Sequence, residues 1–93
     1  MGLKKALSEL GELQKQSAKL KQFARTLEGL DLTSPSCGFT LMVRDSRTRE
    51  EIRGGEGERG LIMNVVTGKI KLLDFQIKDL EQRLERAEQA LQL

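Results

Sequence analysis

The chain has 93 residues, with 16 Lys and Arg, 14 Asp and Glu and no His, so its formal net charge is +2. A chain of this length forms one domain at most, and so balanced a charge argues against binding nucleic acid by charge alone. Cys37 is the only cysteine and cannot form an internal disulfide, and the familiar zinc spacings are absent. We therefore expect a single domain of residues 1–93 in the reducing cytoplasm, with no metal and no cofactor.

The apolar residues are patterned rather than continuous. They make up 38% of the chain, and only three of them are aromatic, all Phe. The core is therefore expected to consist of Leu, Ile and Val. No run of about eighteen apolar residues occurs, and the apolar start of the chain is interrupted by charges, so neither a membrane span nor a signal peptide is predicted.

Residues 3–29 predict the first amphipathic helix. Apolar or small residues recur in two rows with heptad spacing, as in a helix that packs along a seam. These rows are Leu3, Leu10, Ser17 and Ala24, and Ala6, Leu13, Leu20 and Leu27. Gly29 is expected to end the helix as a left-handed C-cap. Residues 30–38 are predicted to be a linker, because Pro35 cannot sit inside a helix.

Residues 39–67 predict a central β-hairpin. Apolar residues alternate with others in the first strand, at 39–43, and both faces are largely apolar in the second strand, at 61–66. The polar, Gly-rich segment 44–60 is predicted to form the tip. Residues 49–53 could extend a strand, form a short third strand or begin a helical turn, and the sequence does not decide among these.

Residues 69–92, after a predicted stop at Thr67 and Gly68, carry the clearest pattern in the chain. Apolar residues alternate at spacings of three and four over three heptads with charged neighbours. Position a is taken by Ile70, Ile77, Leu84 and Leu91, and position d by Leu73, Leu80 and Ala87. Such a helix buries one narrow seam against another helix, and the first helix is the nearest candidate.

The predicted fold class is therefore α+β and mostly α. Two long antiparallel amphipathic helices flank the central β-hairpin, in the order helix–strand–strand–helix. This order of elements, with long coiled-coil helices, resembles that of the beta-type prefoldin subunit. The resemblance implies a layout and no function.

Self-association is expected, because an isolated two-stranded hairpin is marginal in water and apolar strand faces need cover. The helices and the β-hairpin are both expected to form the contacts between copies. The residues assigned to this oligomer interface are Phe39, Leu41, Met42, Ile62, Val66, Ile70, Leu73, Ile77, Leu80, Leu84 and Leu91.

Segment 44–60 contains five Arg, no Lys and four Gly. Arg forks suit phosphate, and Gly lets backbone amides approach an anion, so a phosphate or nucleotide site is one hypothesis. Its candidate residues are Arg44, Arg47, Arg49, Arg53, Gly54, Gly55, Gly57 and Arg59. The segment also holds five acidic residues and matches no phosphate-binding fingerprint, so a solvated loop with internal ion pairs is the favoured interpretation.

No catalytic set is predicted, since there is no His and Cys37 has no base beside it. The leading hypothesis is a non-enzymatic, self-assembling interaction module that binds or inhibits a protein partner. The first alternative is a homo-oligomeric binder of a nucleotide, another phosphate ligand or a nucleic acid through segment 44–60. A second alternative is one subunit of a larger hetero-complex.

Overall fold

A computed structural model describes residues 2–92 of the chain. It contains α1 (Gly2–Glu28), β1 (Thr40–Arg44), β2 (Arg49–Arg53) and α2 (Glu56–Gln92). The predicted predominance of helix and the order helix–strand–strand–helix are confirmed. Residues 1 and 93, the ends of the predicted domain, lie outside the described range.

The two helices form an antiparallel pair. With 27 and 37 residues, α1 and α2 are about 40 and 55 Å long at 1.5 Å per residue. Leu3 near the start of α1 lines the same cleft as Leu91 near the end of α2. At the other end, Arg59 near the start of α2 donates to the carbonyl of Leu27. The predicted heptad rows therefore meet along one seam between the helices.

This seam is shallow. Among the described residues, the large apolar side chains that are nearly fully buried are Leu27, 3% exposed, and Val66, 6% exposed. Most other residues of the two predicted rows are half-buried. Two helices enclose only the surfaces that face each other, so the pair has a strip of core and no enclosed interior.

The predicted second strand at residues 61–66 is wrong, as is the start of the second helix at residue 69. These residues form part of α2, which begins at Glu56 and continues through Thr67 and Gly68. Their alternation also fits the heptad, because Val66 lies seven residues before Leu73. The helical arrangement buries Val66 against α1, so packing decides between the two readings.

The β-hairpin consists of β1 and β2, which pair in antiparallel register from Thr40 opposite Arg53 to Arg44 opposite Arg49. The first predicted strand is thus confirmed to within one residue. Its partner is the segment 49–53, for which the sequence left several structures open. The β-hairpin therefore spans far fewer residues than the predicted range 39–67.

Asp45 shapes the turn between the strands. Its carboxylate accepts the backbone N–H groups of Arg47 and Thr48, each at 2.7 Å, and its own N–H donates to the Thr48 carbonyl at 3.0 Å. These backbone donors, with the Thr48 hydroxyl, hold the pKa of Asp45 below its usual value. A local Asx turn thus closes the strands.

The base of the β-hairpin is closed by Phe39 and Gly54. The Gly54 N–H donates to the Phe39 carbonyl at 3.0 Å, and a Cβ on Gly54 would overlap the Phe39 ring. Arg53 donates to the Cys37 carbonyl at 3.0 Å. Among the described residues, neither strand packs closely on either helix. The β-hairpin therefore projects from the end of the helix pair at which Arg59 of α2 contacts Leu27 of α1.

The end of α1 is capped differently from the prediction. Gly29 does follow the helix, but no glycine in the described chain has a positive φ, so it is not a left-handed cap. Instead the Arg59 guanidinium donates to the carbonyls of Leu27, at 3.2 Å, and Leu30, at 2.6 Å. Arg59 also pairs with Glu56. A positive group at the negative end of α1 is favourable, and it ties α1 to α2.

Candidate interaction surfaces

Exposed apolar residues form a stripe on α2 outside the seam. We call Leu61, Val65, Gly68, Leu72 and Phe75 the outer stripe. They recur at spacings of four, three, four and three, so they share one side of the helix. The four large side chains are 59–70% exposed. A continuous apolar face of this kind on a small chain is typical of an interaction surface.

The β-hairpin provides a second exposed surface. Met42, Val43 and Ile52 are 50%, 74% and 63% exposed, and every residue of β2 is exposed. Within the described part of the chain each strand pairs with one other, so the outer edge of each strand presents unpaired backbone groups. Such edges can accept a further strand from another chain.

A third apolar surface lies at the opposite end of the helix pair, where α1 begins and α2 ends. Leu3 and Ala6 of α1 line a cleft together with Leu84, Ala87 and Leu91 of α2. The seam there contains small side chains, so the two helices leave room between them. The charged residues Lys5, Glu9 and Arg83 also line this cleft.

The residues predicted for an oligomer interface fall into two groups. Those of the α2 seam are half-buried against α1 of the same chain, or nearly fully buried at Val66; they are Ile70, Leu73, Ile77, Leu80 and Leu84. Ile62 near the start of α2 is half-buried, and Leu91 near its end is 76% exposed. The others belong to the β-hairpin and its base, namely Phe39, Leu41 and Met42.

The seam residues of α2 thus pack against α1 of the same chain, whereas the outer stripe is an exposed apolar face of α2. In the sequence, Leu72 and Phe75 indicate the outer stripe, because they lie outside the heptad seam. Leu61 and Val65 belong to the same row. Assigning residues 61–66 to a strand hid that continuity.

The predicted phosphate-binding residues do not form one site. Arg44, Arg47 and Arg49 lie together at the far end of the β-hairpin, where Arg44 pairs with Arg49 across the strands. Arg49 also forms an ion pair with Glu51 at 2.6 Å. Arg53 lies at the base of the β-hairpin, and Arg59 lies in α2, where the carbonyls at the end of α1 occupy it.

Two glycines of this segment, Gly54 and Gly55, do not offer free amides to an anion. The Gly54 N–H is used by Phe39, and the Gly55 N–H donates to the Glu58 carboxylate at 3.2 Å. Gly57 lies in the first turn of α2. The hydrogen bond from the Gly55 N–H to the Glu58 carboxylate is one of the two bonds of a capping box, at the start of α2.

A polar contact crosses the seam near its middle. The Ser17 hydroxyl, in a residue 3% exposed, donates to Asp74 Oδ1 at 2.8 Å. Lys21 Nζ lies 3.4 Å from Asp74 Oδ2. The Ser17 hydrogen bond, followed by Lys21, holds the pKa of the Asp74 carboxyl below its usual value. This contact fixes the helices in one register, as polar seam residues do in coiled coils.

The described residues hold no group of three His, Cys, Asp or Glu side chains arranged to bind a metal ion. Between residues 2 and 92, neither helix has the length and apolarity needed to cross a bilayer. Comparisons of the chain with protein-family models, with curated proteins and with solved structures gave no match.

Proposed function

We propose that the protein is a small, non-enzymatic interaction module that self-assembles and binds or inhibits a protein partner. The observation that carries this proposal is the outer stripe, a continuous exposed apolar face on a chain with little core of its own. Apolar surface in water favours association, and large exposed patches mark interaction sites.

The outer stripe is large enough to support a weak to moderate association. Full burial of a large apolar side chain gains roughly 1.5–3 kcal/mol, so eight such side chains from two copies, about two thirds exposed, gain about 8–16 kcal/mol. Association costs about 4–15 kcal/mol. A dissociation constant near 1 μM needs a net gain of about 8 kcal/mol, which the upper part of the gain with the lower part of the cost supplies.

The β-hairpin is the surface that supports partner binding. It projects beyond the helices, carries exposed Met42, Val43 and Ile52, and offers free strand edges. A protein partner that adds a strand would gain backbone hydrogen bonds and cover one apolar face. Self-assembly through α2 leaves this surface accessible.

Sedimentation equilibrium of the purified chain between about 1 and 100 μM tests the self-assembly part. We expect a mass that rises with concentration from 10.5 kDa toward a multiple of that value. A mass of one chain at every concentration would contradict the proposal. The partner-binding part is tested by comparing the wild-type chain with Val43→Glu and Ile52→Glu. Each substitution should weaken binding to a protein partner without changing the mass that sedimentation measures.

A second candidate function is binding of a phosphate-bearing ligand at the tip of the β-hairpin. The observation in its favour is that Arg44, Arg47 and Arg49 lie together there, with Glu51 as the acidic partner of Arg49. Titration with nucleotides and oligonucleotides at two salt concentrations tests it. Binding that survives replacement of all three by Gln, or that falls equally when Lys4, Lys5 and Lys15 are replaced, would contradict a tip site.

A further inference from the structure

The outer stripe has a symmetry that identifies its occupant. We propose that a second copy of the chain packs on it, with the two α2 helices antiparallel about a twofold axis at Gly68. This inference rests on the proposed self-assembly and assigns its surface and orientation.

The first support is the order of residues along the stripe. Leu61 and Val65 precede Gly68 by seven and three residues, and Leu72 and Phe75 follow it by four and seven. The stripe therefore reads nearly the same in both directions. An antiparallel twofold interface brings a helix face against its own reversed copy, so a stripe with this order meets apolar residues along its whole length. Leu61 and Val65 of one copy then face Leu72 and Phe75 of the other.

The second support is Gly68 itself. Glycine is unfavourable inside a helix relative to alanine, and here nothing within the chain requires it. Its φ is not positive, and a Cβ would meet no atom within 4 Å. Gly11, Gly57 and Gly60 are equally open, but only Gly68 lies between large apolar residues of an exposed row. A missing side chain at the crossing point lets two helix backbones approach closely.

Disulfide cross-linking of the full chain tests the geometry. In a Cys37→Ser background, Gly68→Cys is expected to form a covalent dimer under mild oxidation, because the two Cα atoms lie close to the axis. Leu61→Cys alone should not cross-link, since its two copies lie about 20 Å apart along the helices. A mixture of Leu61→Cys and Phe75→Cys should form the mixed dimer.

The outcomes separate the two proposals. Leu61→Cys linking efficiently to itself would show a parallel pair and overturn the inference. So would a Cys37→Ser chain that sediments as an oligomer while Gly68→Cys stays unlinked, and the proposed function would then stand on another surface. A Cys37→Ser chain that sediments as a monomer at every concentration would overturn both.

A charge inserted at each exposed surface provides the matched control. Phe75 is 70% exposed and Val43 is 74% exposed, so either can be replaced by Glu with little effect on the single chain. We expect Phe75→Glu to raise the dimer dissociation constant at least tenfold and Val43→Glu to leave it unchanged. The reverse result would place the contact between copies on the β-hairpin and overturn the inference.

Discussion

At the scale of single residues, Ser17 is the polar member of an otherwise apolar or small-residue row. Its hydroxyl is buried and bonds to Asp74 across the seam. The sequence places Ser17 in the heptad row but cannot show its partner, because the contact joins residues 57 positions apart. Only the packed helices bring the two side chains together.

Replacing Ser17 by Ala tests this contact. The change removes the hydrogen bond and is expected to lower the free energy of unfolding by about 1 kcal/mol. Ser8→Ala is the matched control, since Ser8 is exposed on the same helix and the substitution changes helix propensity equally. Urea unfolding of both variants measures the difference. Equal stability of the two would mean that the Ser17 contact contributes nothing.

The pH dependence of stability follows from the same contact. The folded-state pKa of Asp74 lies below its unfolded value of about 3.8, so the charged carboxylate contributes stability above that pH. This contribution is lost as the pH falls through the folded-state pKa. We therefore expect the urea concentration at the unfolding midpoint to decrease when the pH is lowered below about 4. Because Asp31 and Asp45 also have lowered pKa values, Ser17→Ala should reduce the acid loss without abolishing it.

At the scale of elements, the helices were predictable because heptad spacing reports directly which residues share a face. The start of α2 was not. Residues 61–66 satisfy both the twofold alternation of a strand and the seam of a helix, and Thr67 and Gly68 resemble a stop. Burial of Val66 against α1 decides the matter, and that is a property of the packed pair.

The cap on α1 was missed for a related reason. The sequence offered Gly29 as a local solution to the unpaired carbonyls at the end of the helix. The structure uses Arg59, about thirty residues away in sequence, whose Nη1 donates to the Leu27 carbonyl in the last turn of α1 and to the Leu30 carbonyl just beyond it. Because the Arg59 guanidinium forms these hydrogen bonds, it does not contribute to the predicted phosphate site.

The base of the β-hairpin gives a prediction at this scale. Gly54→Ala places a Cβ in the Phe39 ring, which should destabilise the β-hairpin by about 1–3 kcal/mol. Since the strands do not pack on the helices, amide exchange should quicken in β1 and β2 while α1 and α2 stay protected. Gly57→Ala, where a Cβ meets nothing, should instead stabilise α2 by up to about 1 kcal/mol. Loss of helix protection in Gly54→Ala would contradict an independent β-hairpin.

At the scale of the whole molecule, residues 2–92 include more large apolar side chains that are exposed than ones that are nearly fully buried. Leu27 and Val66 are the large apolar side chains that are nearly fully buried, whereas the outer stripe alone carries four that are at least 59% exposed. The expectation of self-association came from the sequence, and the residues assigned to it lie in different surroundings. Those of the α2 seam are half-buried or buried against α1, whereas Met42 and Leu91 are exposed.

The dependence of stability on protein concentration tests the central claim, that other copies cover what a single chain leaves exposed. If assembly stabilises the fold, mass action raises the urea midpoint as the concentration rises. Between about 1 and 100 μM we expect the wild-type midpoint to increase and the Phe75→Glu midpoint to stay constant. A wild-type midpoint that is the same at every concentration would contradict the claim.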